Sequence, residues 1–190
     1  MAAKFNVIVE IKEVQRFQHI VLIHLDAAYN YAYYLTRHRH DAEDLVQEAC
    51  QRAFTAFDRF EQNNAKSWLL TIVRHTFLNH KIKEQKRGEV VYLDAMHADM
   101  NTPERLKNDD TPEHLLIQSH DASQLHRIIA SLPEDYREVI ILRELENLSY
   151  ADIACILDCA LGTVMSRLSR ARQQLRKRLK SEARSQGSAQ

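Results

Sequence analysis

The chain has 190 residues, 26 Lys+Arg against 26 Asp+Glu, a formal net charge of zero, and only three glycines and three prolines. Average usage would give roughly 13 glycines and 9 or 10 prolines, so the composition excludes turn-rich β-sandwiches and barrels. The glycines are isolated, which excludes a glycine-rich phosphate loop. No apolar run is long enough for a membrane span, no signal peptide is recognisable, and the odd cysteine count favours reduced thiols. We therefore predict an all-α protein of the cytoplasm, with no membrane insertion.

The zero net charge hides a blocked distribution. Residues 66–88 contain six basic and one acidic residue (+5), and residues 161–184 contain eight basic and one acidic residue (+7). Residues 89–124 contain two basic and eight acidic residues (−6), and residues 125–160 contain three and seven (−4). Charges this far apart in sequence do not cancel locally unless the fold brings them together. Two basic segments are thus candidates for a nucleic-acid partner.

Three amphipathic helices are predicted in residues 14–88. Apolar residues recur with a helical period from Val14 to about Arg37 and predict one continuous helix. Asp41 is a predicted N-cap for a second helix of about five turns, which ends before the polar residues 61–64. The third helix has an apolar inner face and a basic outer face. Three such helices can close a small bundle, which we assign as the first domain, 14–88.

Residues 89–111 are acidic and amide-rich and predict a flexible linker. Its charge could mimic nucleic acid, and a disordered acidic tether explains it equally well. Thr111-Pro112-Glu113 then predicts the start of a helix that runs to about Ser131, and Pro133 opens the next helix in the same way. The second domain is assigned to residues 112–181.

The end of the second domain has the layout of a helix-turn-helix. Ser149, with Asp152 three residues later, predicts a capped short helix, residues 158–160 predict the turn, and a longer helix follows to Ser181. In this motif the second helix enters the major groove with its N-terminal half. Its outward hydroxyl and guanidinium groups can bond base edges or phosphates. The predicted DNA-binding residues are Thr163, Ser166, Arg167, Ser169, Arg170, Arg172, Arg176 and Lys177.

Several motifs together carry a family resemblance. The segments LPEDYREV (132–139), LSYADIA (148–154) and GTVMSRLSRAR (162–172) resemble region 4 of bacterial extracytoplasmic-function (group 4) sigma factors of the sigma-70 family. The segments DAEDLVQEA (41–49) and WLLTIVR (68–74) resemble their region 2. The resemblance covers roughly residues 17–88 and 112–180, with the motifs in the family's order on the predicted helices.

The resemblance implies a sigma factor that binds core RNA polymerase and directs promoter-specific initiation, without catalytic residues or a cofactor. Its second helix would dock on the β′ clamp helices and its region 4 on the β flap. The positions that match the clamp-binding motif are Asp41, Asp44, Gln47 and Glu48. An anti-sigma protein is the further partner implied. In the free protein the basic faces could be covered by that partner or by the chain's own acidic surfaces.

Region 2 of this family also recognises the −10 element as the duplex opens, and region 4 reads the −35 element. Binding an unstacked strand needs a cationic track for the backbone and polar groups for the base. The candidates are Asn63, Asn64, Lys66, Arg74, His75, Asn79 and Lys83. Trp68 suits the core better than a stacking platform. Met165 and His75 depart from the family, which often has Arg and Asn at these positions.

The sequence gives weaker support for a metal site or a redox pair. The ten histidines lack metal-ligand spacing, and surface positions are favoured over a metal site. Cys155 is expected in the helix-turn-helix core and Cys159 in its turn, with a redox pair as the alternative. Two other function classes are the alternatives: a repressor or response regulator that uses the helix-turn-helix alone, and a helical adaptor without a nucleic-acid role. The two basic segments and the region 2-like bundle disfavour both.

Overall fold

The computed structural model describes residues 12–61, 64–86 and 124–187, with side chains up to residue 181. The described residues form helices and no strand, as the composition predicts. The predicted linker 89–111, the helix start at 111–113 and Asn63 lie outside the described residues.

The first bundle consists of α1 (residues 12–20), α2 (Leu25–Thr36), α3 (Arg39–Ala56) and α4 (Ala65–Lys86), with 3-10 turns at Leu22–His24 and Phe57–Arg59. The prediction of one continuous helix from Val14 to Arg37 is wrong, because the chain breaks between α1 and α2. The break falls in a run rich in β-branched residues, which lower helix propensity, and Val21 is fully buried there.

The start of α3 also differs from the prediction. The N-cap is His38, in an extended conformation, and Asp41 lies in the first turn, 3.4 Å from the His38 Nδ1 atom. A carboxylate in the first turn still complements the positive end of the helix dipole. The predicted length holds, since α3 has 18 residues, or five turns.

The second bundle consists of the helical residues 124–130 (α5), α6 (Glu134–Ile140), α7 (Tyr150–Leu157) and α8 (Leu161–Gly187). Pro133 is the N-cap of α6 and not its first helical residue. A π-helical segment at Ile141–Leu145, for which the sequence has no local signal, continues α6. The last helix runs to Gly187, six residues beyond the predicted end at Ser181, because no proline or capping residue stops it.

The two bundles are packed against each other. One continuous apolar core contains Leu45, Leu69 and Val73 from the first bundle and Ile140 and Ile153 from the second, all at most 1% exposed. Helix α4 packs against α7, and α2 packs against α6. The basic helix α4 of the first bundle therefore faces the acidic second bundle.

Candidate polymerase and nucleic-acid interfaces

The exposed acidic face of α3 is the candidate polymerase surface. Asp41, Asp44 and Gln47 are exposed, while Ala42, Leu45 and Val46 face the core. Glu48, the fourth candidate, is half-exposed and already bound. His80 Nε2 of α4 lies 2.6 Å from Glu48 Oε2, and Arg52 donates to Glu48 Oε1 at 2.5 Å. These two hydrogen bonds, the His80 bond first, lower the pKa of Glu48. Three of the four candidates are thus accessible to a partner.

Helix α4 presents its polar residues on two different faces. His75, Asn79 and Lys83 follow one another at intervals of four residues and are exposed to solvent. Lys66, Arg74 and Lys81 point toward the second bundle. The predicted −10 residues on α4 therefore fall into two sets, one exposed to solvent and one facing the second bundle.

The cations that face the second bundle are bound by its carboxylates. We call Lys66, Arg74 and Lys81 the paired cations, and Glu134, Glu138 and Glu146 the interdomain carboxylates. The ion pairs join Lys66 Nζ to Glu146 Oε2 at 2.8 Å, Arg74 Nε to Glu138 Oε1 at 3.4 Å and Lys81 Nζ to Glu134 Oε2 at 2.9 Å. Lys66 also donates to the main-chain oxygen of Glu146 at 2.8 Å. The chain's own acidic residues therefore cover part of its basic face.

Glu138, one of the interdomain carboxylates, is buried, with a side chain that is 5% exposed. Tyr31 of α2 donates its hydroxyl to Glu138 Oε1 at 3.2 Å. Burial raises the pKa of the Glu138 carboxyl above its ordinary value, against the opposite effect of the Arg74 charge. Burial and the Glu138 charge likewise raise the pKa of Tyr31 well above its usual range. Packing of the bundles around Glu138 and Tyr31 therefore has a considerable desolvation cost.

Two arginines join the bundles through main-chain oxygens. Arg137 donates to the carbonyl oxygen of Tyr34 at 2.9 Å and to that of Leu132 at 3.2 Å, and burial lowers its pKa to about 10. Arg37, in the left-handed conformation that ends α2, donates to the carbonyl oxygen of Ala130. Carbonyl groups at the end of α2 carry the negative end of the helix dipole, so a guanidinium is favourable there.

The loop before α4 uses its amide for helix capping. The Asn64 side-chain oxygen accepts from the Ser67 backbone N–H at 3.1 Å, which occupies one of the groups predicted to bond a base. Trp68 is half-buried, with its ring centroid 4.8 Å from that of Phe60. This packing agrees with the predicted core position of Trp68.

The helix-turn-helix forms as predicted. The Ser149 hydroxyl accepts from the Asp152 backbone N–H at 3.1 Å and donates to its carboxylate at 2.6 Å. Helix α7 ends at Asp158 in the left-handed conformation, and Val164, Leu168 and Ala171 of α8 are buried against the core. The opposite face of α8 is therefore fixed toward solvent.

The predicted DNA-binding side chains of α8 differ in their availability. Thr163 is half-exposed. The exposed candidates are Ser166, Ser169, Arg170, Arg176 and Lys177. Arg167 pairs with Asp135 at 2.9 Å and Arg172 with Glu144 at 2.7 Å, both within the second bundle. These carboxylates are about half-exposed, so the pairs are weak and open to exchange with phosphate.

Some predicted surface and core positions are corrected. Cys155 is exposed and not in the helix-turn-helix core, whereas Cys159 lies in the turn and packs partly against the core. His126 is half-buried and stacks on Tyr34 with ring centroids 5.6 Å apart.

Over residues 12–61, 64–86 and 124–187, no group of three potential metal ligands occurs, and no helix is long and apolar enough to cross a bilayer.

Comparisons with known proteins agree with this architecture. Residues 20–87 match Sigma-70 region 2, and residues 122–175 match Sigma-70, region 4. The ECF RNA polymerase sigma-E factor of Escherichia coli is 40% identical over 135 residues, which cover 70% of this chain and 71% of that protein. The ECF RNA polymerase sigma factor SigE of Mycolicibacterium smegmatis is 34% identical over 157 residues, which cover 83% of this chain and 59% of that protein.

Solved structures show the same fold. The sigma factor RpoE from Bartonella quintana, crystallised with the anti-sigma factor NepR, matches with a TM-score of 0.70 and 30% identity over 87% of this chain and 98% of that chain. CnrH in complex with the cytosolic domain of CnrY matches with a TM-score of 0.58 and 21% identity over 88% of this chain and 90% of that chain. The chain therefore belongs to the extracytoplasmic-function sigma factors of the sigma-70 family, non-enzymatic factors that direct promoter-specific transcription initiation.

Proposed function

We propose that this sigma factor binds core RNA polymerase through α3, the −10 element through α4 and the −35 element through α8. The boundaries proposed for these parts are 14–88, 89–111 and 112–181, and the matched ranges 20–87 and 122–175 fall inside the first and third. The observation that carries the proposal is the capped helix-turn-helix, whose rigid packing turns Ser166, Ser169 and Arg170 outward. The proposed site of action is the cytoplasm.

Polymerase binding is assigned to Asp41, Asp44 and Gln47 because they share an exposed helix face next to a rigid core. Carboxylates on such a face suit a basic partner surface and accelerate its encounter. Glu48 joins this face only if its bonds to His80 and Arg52 exchange for bonds to the partner. The β′ clamp helices are the proposed partner of this face, and the β flap is the proposed partner of the second bundle.

Binding both promoter elements requires the two bundles to separate. The −10 and −35 elements are about 25 base pairs apart, which is about 85 Å at 3.4 Å per base pair. A compact chain of 190 residues has a radius of gyration of about 16 Å and a diameter of about 40 Å. The closed arrangement cannot reach both elements, and it also occupies Lys66 and Arg74 with carboxylates. Polymerase binding is proposed to hold the open form, and an anti-sigma protein the closed form.

The experiment is transcription in vitro with core polymerase and variants of the two surfaces. Arg170→Ala is expected to reduce promoter-specific initiation about tenfold, in line with one lost base contact, without weakening polymerase binding. Arg127→Ala is the matched control, since Arg127 is exposed on α5, outside the recognition helix. Asp44→Lys is expected to weaken polymerase binding, with Glu13→Lys on exposed α1 as its control. Equal effects of Arg170→Ala and Asp44→Lys on both measurements would contradict this division of roles.

A further inference from the structure

Two large apolar side chains are exposed on the first turns of α8, the helix proposed to read DNA. Met165 is 49% exposed and Leu161 is 46% exposed, and their spacing of four residues places them on one flank of the helix. The core of this helix is formed by Val164 and Leu168, which are at most 1% exposed, so neither Met165 nor Leu161 is needed to bury α8.

The surroundings of Met165 are polar and basic. It lies in a shallow groove of about 810 Å³ between Tyr150, at the start of α7, and the flank of α8. Ser169, Arg176 and Lys177 line the same groove. An apolar side chain in a groove that is also lined by cations does not suit an apolar protein surface, because the cations would be buried without partners. The charge around it suits a polyanion that offers an apolar group between its phosphates.

Duplex DNA offers such a group in the major groove. The C5 methyl of thymine is the apolar feature of the base edges there, and the other edge groups are hydrogen-bond donors and acceptors. Methionine has no hydrogen-bond donor and is only a weak acceptor, so it cannot imitate an arginine that bonds guanine. Its flexible thioether can instead fill the space around a methyl group.

We propose that Met165 contacts the methyl group of a thymine in the element read by α8 and makes thymine the preferred base at that position. The inference rests on the proposed reading of the −35 element by α8. Leu161, one turn earlier, shields the contact from water, while Ser169 and Arg170 bond neighbouring groups of the DNA. Met165 is thereby a specificity-determining residue of this sigma factor.

The test selects promoters with the full chain bound to core polymerase, from duplexes with a randomised upstream element. The holoenzyme is expected to enrich thymine at one position of that element. Met165→Ala is expected to reduce this preference about fourfold, the value for one methyl group removed from water. Met165→Arg is expected to shift the preference from thymine to guanine. Leu179→Ala is the matched control, since Leu179 is 37% exposed near the far end of α8 and should leave the preference unchanged.

A second measurement removes the methyl group from the DNA. Deoxyuridine in place of the selected thymine is expected to weaken binding of the unmodified holoenzyme about fourfold and to have little effect on the Met165→Ala holoenzyme. An unchanged thymine preference in Met165→Ala, or equal binding of thymine and deoxyuridine, overturns the inference about Met165. Enrichment of no upstream sequence at all would instead overturn the proposed reading of the −35 element, so the two failures are distinguishable.

Discussion

The substitutions Glu134→Gln, Glu138→Gln and Glu146→Gln together remove the charge of the three interdomain carboxylates. In the closed arrangement each one binds a paired cation at 2.8–3.4 Å. Neutralisation of Glu146 leaves Lys66, whose side chain is 25% exposed, without its anionic partner at the interface. A buried charge that loses its partner is strongly destabilising, so we expect the two bundles of the free chain to separate and the paired cations to reach solvent.

The expected change in the salt dependence of binding follows from the number of cations released. Each phosphate contact on a single strand changes the slope of log K against log salt by about −0.7, so three cations steepen the slope by about 2. Between 50 and 200 mM salt, this difference corresponds to about 20-fold in relative affinity. The unsubstituted chain is expected to lack this additional slope, because its paired cations are bound to its own carboxylates.

The assay is fluorescence anisotropy of a labelled single-stranded oligonucleotide, titrated with the free full-length chain at several salt concentrations. A matched triple variant, Glu13→Gln, Asp44→Asn and Asp58→Asn, raises the net charge by the same three units at exposed positions outside the interface. It should bind with nearly the slope of the unsubstituted chain. If both triple variants steepen the slope equally, general charge and not release of the paired cations governs binding, and the reasoning is refuted.

Three further predictions concern single positions. Burial raises the pKa of Glu138, so its ionised form disfavours folding. The free energy of unfolding of the unsubstituted chain should therefore rise, relative to that of Glu138→Gln, as the pH falls through this raised pKa toward about 4.3, the pKa in the unfolded chain. Urea unfolding of both chains at several pH values measures the difference, and parallel profiles would contradict it. Ser149→Ala removes the cap of α7 and should lower the unfolding free energy by about 1 kcal/mol, whereas exposed Ser169→Ala should not. Exposed Cys155 should react with a thiol reagent faster than Cys50, whose pKa is raised by burial; equal rates, read by mass spectrometry, would argue against this order.

Helices and the helix-turn-helix could be predicted because their signals are local. The apolar period of α3 and α8 and the Ser149 cap each depend on residues within a few turns of one another. The break before α2 could not be predicted in the same way, since the apolar period of Val14–Arg37 continues through it. At this break Val21 is buried in the tertiary core. The helical period of the apolar residues is a local pattern and does not predict such packing between helices.

The interdomain contacts could be predicted only as a general possibility. The charge blocks indicated that acidic segments could cover the basic faces, but the partners in the three pairs are 80, 64 and 53 residues apart. No periodic pattern relates residues at such separations, so the individual pairs depend on how the bundles meet. For the same reason, the sequence could not separate His75, which faces solvent, from Arg74, which faces the second bundle.

The burial of Glu138 and Glu146, each with a side chain 5% exposed, determines how the closed form is selected. A buried ion pair adds little net attraction, because dehydrating the charges offsets most of the Coulomb energy. A closure displaced by one helical turn, however, would leave a dehydrated carboxylate beside apolar side chains. The pairs therefore determine how the bundles align, because they destabilise every incorrect docking of the bundles more than they stabilise the correct one. Closure can thus be unique in geometry while the ion pairs add little to its free energy.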